Sequence, residues 1–139
     1  MNISKHKDQF FLFYLEVKSD ILKAMDFVKR LALGLDFNRK ESLHLQLVVE
    51  ELCTNAFDHT DRYSMKFLKV EKLEDQKGIT LTLYTEGELY SLIPPKESEN
   101  KGPRGRGLKL ILSLVDFAEV KTEGNFIKTQ LVKKRSQEH

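Results

Sequence analysis

The sequence predicts an α+β two-layer sandwich, a mixed, largely antiparallel sheet with its helices packed on one face. Three observations carry this expectation. Two segments near the start have apolar residues at helical spacing, two pairs of β-rich segments are joined by turn residues, and a short helix preceded by glycines separates the pairs. At 139 residues the chain suits one domain, 1–139 with a core of about 10–132, large enough to bury an apolar interior.

Residues 10–17 are rich in aromatic and branched side chains and end at Lys18, Ser19 and Asp20, a polar cluster suited to a helix start. They read as a strand. Ile21, Met25, Phe27, Val28, Leu31 and Ala32 then recur at roughly helical spacing up to Gly34, which is expected to supply a left-handed helix end, so the first helix is predicted over 20–33. A second helix is predicted from near Asn38 to about His59, because Leu45, Val48, Val49, Leu52 and Ala56 form one apolar stripe. Strands predicted over 65–73 and 79–84 flank the turn chemistry of Glu74, Asp75, Gln76, Lys77 and Gly78. The last helix is predicted over 107–114, and strands over 117–122 and 126–132 flank Glu123, Gly124 and Asn125 as a second hairpin. The stretch 93–105, with Pro, Ser, Glu and Lys, reads as a flexible insertion, of which 93–104 is expected to be mobile without a bound ligand and to act as a lid.

Charge excludes some functions. Lys and Arg number 23 against 21 Asp and Glu and are spread along the chain, so no block reads as a nucleic-acid-binding stripe. The apolar run near the amino end is too short for a membrane span and no small-residue cleavage site follows it, which points to a cytoplasmic protein without a membrane segment. A single cysteine, Cys53, excludes an intramolecular disulfide and suits a reducing compartment. His6, His44 and His139 show no metal-like spacing with one another or with Cys53.

Two segments carry the chemistry. ELCTNAFDH (51–59) sets Glu51 and Asn55 one helical turn apart at the border of the apolar stripe, where both reach a cleft while their helix stays packed. GPRGRGLKLI (102–111) is a glycine-rich loop opening a helix. Each alone has a bland reading, as a solvated helix edge and as a loop end. Together an acid, an amide and a phosphate-cradling loop are parts of an ATP site with Mg²⁺.

In this arrangement EELCTNAFDH (50–59) resembles the N-box of the GHKL superfamily, whose Bergerat-fold ATP sites occur in gyrases and histidine kinases. GRGLKLILSLVDFAEV (105–120) resembles its second glycine box with the helix and Asp-containing segment of the anti-sigma factor and serine-protein kinase branch. The resemblance covers nearly all of residues 10–132. It implies that Asn55 ligates Mg²⁺, that Glu51 orients or deprotonates the attacking hydroxyl, and that Gly105, Arg106, Gly107 and Leu108 hold the phosphates. The chain departs from the family in the first glycine box. There TEGELY (85–90) puts Thr85 at the position of the Asp that binds the adenine amino group, keeps Gly87, and has Leu89 for the second Gly. Thr85 shares a strand face with Ile79, Leu81 and Leu83 and is expected to point inward.

Two functions follow from the resemblance. The first is an anti-sigma-factor-like regulator that binds Mg-ATP and phosphorylates a serine of an antagonist protein while sequestering a sigma factor or similar target, in a branch that suggests a homodimer. The second is a non-catalytic protein-binding module of the same fold that has lost tight ATP recognition, which the degenerate TEGEL segment favours and the retained Glu51 and Asn55 oppose. The ATPase fragment of a histidine kinase is a third reading, and no phosphoacceptor helix accompanies it here.

Overall fold

The computed structural model describes residues 3–5, 10–61, 63–87 and 103–136, the side chains of 3–5 and 103–108 excepted. Strands β1 (Ile3–Lys5) and β2 (Phe10–Tyr14) precede helices α1 (Asp20–Gly34) and α2 (Arg39–His59). Strands β3 (Lys66–Lys72) and β4 (Gly78–Glu86), helix α3 (Pro103–Leu114), and strands β5 (Phe117–Glu123) and β6 (Phe126–Lys134) complete the chain. The strands form one six-stranded sheet in the order β1-β2-β3-β4-β6-β5. Every described pairing is antiparallel, so the parallel component of the expected mixed sheet is missing from the described residues.

Alternation divides each strand between two layers. Ile79, Leu81 and Leu83 of β4 turn toward the helices with Leu68 and Val70 of β3 and Leu131 of β6, and all six are fully buried. Ala24, Val28 and Ala32 of α1, with Leu45, Val48, Val49 and Leu52 of α2, complete that core. The other sheet face carries an aromatic cluster in which Phe67 stacks on Tyr84 with centroids 4.7 Å apart and meets Phe126 edge-on at 5.8 Å.

The element ends show where side chains overrule periodicity. Strand β2 stops at Tyr14 rather than residue 17 because the buried Asp20 carboxylate accepts hydrogen bonds from the backbone N–H groups of Glu16 (2.8 Å) and Val17 (3.0 Å), turning the chain out of the sheet. Gly34 stays helical, and the left-handed residue after α1 is Asp36, with φ 67°. The Phe37 N–H donates to the Ala32 carbonyl at 3.0 Å and closes that end. Helix α2 begins where expected because Asn38 and Glu41 form a reciprocal capping box, with Glu41 N–H donating to Asn38 Oδ1 at 2.8 Å. Strand β4 outlasts the predicted 79–84 and includes Thr85, held between Lys66 of β3 and Ile127 of β6.

Helix α3 begins at Pro103, four residues before the predicted start at Gly107. Proline has its φ preset for a first helical turn, where its missing N–H leaves no intrahelical bond unmade. Most of the expected lid, residues 93–102, lies outside the described residues, as does Leu89.

Candidate functional site

Helix α2 places the acid and the amide differently. Asn55 continues the sheet-facing stripe of Val48 and Leu52 and is only 3% exposed, whereas Glu51 sits half-buried at its border. The Asn55 Nδ2 group has no hydrogen-bond partner among the described residues. A carboxamide donor buried without a partner is destabilising by roughly 1–3 kcal/mol, so its position along a core stripe is a cost that a bound ligand would offset. Burial, with the negative charge of neighbouring Glu50 second, raises the Glu51 pKa above the ordinary 4.5, which moves this carboxylate toward the range useful to a general base.

The sheet supplies the opposing wall. Thr85 is 1% exposed on the helix-facing side, and its Oγ1 has no described partner. Two neighbours were not singled out by the sequence reading. Thr129 of β6 is fully buried in inward register between Ile127 and Leu131, and its hydroxyl also lacks a described partner. Lys66 of β3 lies directly across from Thr85, inward like Leu68 and Val70, and is 3% exposed. Its Nζ donates to the carbonyls of Ser64 (2.7 Å) and Asp61 (3.3 Å) and stands 5.2 Å from the centroid of the Phe57 ring. Burial lowers the Lys66 pKa, and the nearby Asp61 charge opposes that shift in part. The signal for both residues was strand parity, a polar side chain at a position whose neighbours two residues away are apolar.

An orphan hydroxyl is not by itself a site. Thr82 has one as well, but it alternates with Thr85's neighbours Leu81 and Leu83 and belongs to the opposite sheet face. What distinguishes Thr85 and Thr129 is that they look into the same helix–sheet layer as Asn55.

Beyond Thr85 the chain leaves the sheet at Gly87, whose φ of +137° is a conformation that side chains disfavour, and whose N–H donates to the Asn125 carbonyl at 3.3 Å. Glu86, Gly87, Thr122, Gly124, Asn125, Phe126 and Ile127 line an open cleft of about 420 Å³ there. Gly105, Arg106, Gly107 and Leu108, expected as a loop leading into a helix, are instead part of α3 itself. With the helix starting at Pro103, the N–H groups at its start that lack an intrahelical acceptor are those of Arg104 and Gly105, whereas those of Arg106, Gly107 and Leu108 fall where helical geometry directs them to carbonyls four residues back. Helix α3 packs against α2, the helix that carries Glu51 and Asn55.

An antiparallel sheet with helices on one face, and a buried amide beside a half-buried acid on the helix next to it, is the setting in which the comparisons with known proteins fall. Residues 18–131 match the family described as histidine kinase-like ATPase domain. The chain belongs to this family. Among solved structures it is similar in fold to a chain of the SiaB-SiaC complex from Pseudomonas aeruginosa, at 13% identity over 87% of each chain with a TM-score of 0.58. No curated protein matches the sequence.

The residues present fit a magnesium ion held jointly with a nucleotide. Mg²⁺ retains several waters and takes one or two protein oxygens besides phosphate oxygens. The Asn55 Oδ1 is a neutral oxygen of the kind such an ion takes, its buried Nδ2 suits a phosphate oxygen beside the ion, and no group of three or more His, Cys, Asp or Glu that could hold a metal by itself occurs among the described residues. No helix among the described residues is long and apolar enough to cross a membrane.

Proposed function

We propose that the protein binds a Mg²⁺–nucleoside triphosphate, with ATP as phosphoryl donor, and phosphorylates a serine of a protein antagonist as part of an anti-sigma-factor-like regulatory pair. The observation that carries this is Asn55, buried in the core stripe one turn from the partly desolvated Glu51, with an Nδ2 donor that has no described partner and suits a phosphate oxygen while the amide Oδ1 would face the metal. Asn55 would hold the metal, which when bound neutralises charge on the phosphates. The free backbone N–H groups at the start of α3, up to Gly105, would donate to phosphate oxygens, with Arg106 and Gly107 continuing the same helix. Gly87 lets the chain turn away after Thr85 at the nucleobase end. In the transfer step the serine Oγ bonds to the γ-phosphorus and the bond to the bridging oxygen breaks, releasing the nucleoside diphosphate. The serine proton passes to the Glu51 carboxylate.

The fold neighbour was solved in a complex of two named components, which supports a protein partner, a sigma factor or an antagonist protein, for this chain. Homodimerisation and a cytoplasmic location accompany the same proposal. The alternative, a binding module without catalysis, is favoured by one observation, the hydroxyl of Thr85 in place of a carboxylate.

Calorimetric titration of ATP with and without Mg²⁺ separates the two. The kinase reading expects Mg²⁺-dependent binding that Asn55→Ala weakens by tenfold or more, about the worth of one charge-assisted contact. Absence of binding in the parent protein leaves the module reading.

A further inference from the structure

Among the described residues, the nucleobase end of the proposed site presents two hydroxyl groups without fixed hydrogen-bond polarity. Thr85 and Thr129 present hydroxyls that are 1% and 0% exposed and have no described partner. Each occupies an inward position, on β4 and β6, and the pairing of Thr85 with Ile127 and of Leu83 with Thr129 makes them diagonal neighbours on one face. A hydroxyl rotates to donate one hydrogen bond or to accept, whereas a carboxylate only accepts. No carboxylate takes the inward positions beside them, since Glu86 belongs to the opposite face and accepts from the Met65 N–H at 3.0 Å. Among the described residues, the inward position across from Thr85 is taken by the buried Lys66, a positive charge whose ammonium group donates to the Ser64 and Asp61 carbonyls.

We infer that this site reads a purine with little discrimination at its 6-position, accepting both 6-amino (ATP) and 6-oxo (GTP) nucleotides. The inference rests on the nucleotide-binding reading above and concerns the selectivity of that site. Toward a 6-amino group the Thr85 hydroxyl accepts. Toward a 6-oxo group it turns and donates, and the Lys66 charge favours the carbonyl dipole. Specificity of about 10⁴ or more arises where a buried group of fixed polarity is left unpaired by the wrong ligand, and two free rotors supply no such penalty.

Dissociation constants for Mg-ATP and Mg-GTP, measured by calorimetry on the full chain, test this. The parent protein is expected to bind the two within about tenfold of each other, the span of one neutral hydrogen bond. Thr85→Asp is expected to tighten ATP by about tenfold and to weaken GTP, because the new carboxylate accepts from the amino group while repelling the carbonyl. Lys66→Met in an otherwise native background is expected to weaken GTP more than ATP. An ATP preference above tenfold in the parent overturns the inference while leaving nucleotide binding intact. Binding of neither nucleotide overturns the nucleotide reading itself. The parent ratio decides the matter even where a variant at the buried Lys66 fails to fold.

Discussion

Replacing Thr85 by valine separates the stability of the free protein from its capacity for a ligand. The two side chains have nearly the same shape, and Thr85 is 1% exposed with an Oγ1 that has no described partner. A hydroxyl buried without a hydrogen bond costs about 1–3 kcal/mol, so exchanging it for a methyl group is expected to stabilise the nucleotide-free protein by about 1 kcal/mol. Urea denaturation followed by circular dichroism reads this as a midpoint shift of roughly 0.5 M at unchanged slope, given slopes of about 1–3 kcal/mol/M. Thr82→Val is the companion variant, because its hydroxyl is equally unpartnered but belongs to the other sheet face. Both variants should gain stability, and only Thr85→Val should lose nucleotide affinity, by up to about tenfold for one neutral hydrogen bond. A loss of 1 kcal/mol or more on Thr85→Val would show that the hydroxyl is satisfied in the free protein, and the assignment of position 85 to a ligand would fall with it.

Two more outcomes follow from titration. The Glu51 pKa lies above 4.5 through burial, so phosphoryl transfer should decline on acidification through that raised value as the base is protonated, and Glu51→Gln should remove this limb and slow transfer with little effect on nucleotide affinity. For folding the sign is opposite. A carboxyl pKa raised in the folded state favours folding below its unfolded value and loses that contribution as pH rises through the folded value, so Glu51→Gln should gain relative stability at pH 7 over pH 4. Denaturation of both proteins at the two pH values checks it, and an unchanged difference would refute the shift. Cys53 is fully buried with its thiol pushed up to about 12, and iodoacetamide should leave it unmodified in the folded protein yet label it in denaturant, as read by mass spectrometry.

Periodicity and turn chemistry determined the element order from β2 onward and most of the bounds, because the apolar stripe of α2 and the strand alternation of β4 are local patterns set by helical and extended geometry, whereas the three-residue β1 is defined only by its pairing with β2. Helical spacing set Glu51 and Asn55 together, and the resemblance to a glycine box, rather than periodicity, pointed to Thr85 and Gly87. Only tertiary structure decided what those residues experience. Asn55 was expected at the stripe's border with Glu51 and proved buried, because the sheet covers its side of α2 and leaves Glu51 at the rim. Helix α3 reached back to Pro103 because proline at a first turn favours helix, against the loop reading of the glycines that follow. Lys66 and Thr129 gained their meaning from strand pairing, which brings residues 66, 85 and 127 side by side across 61 positions of sequence. A pattern confined to one segment fixes which face a side chain takes, and the identity of what it meets there depends on contacts between distant segments, which no local periodicity encodes.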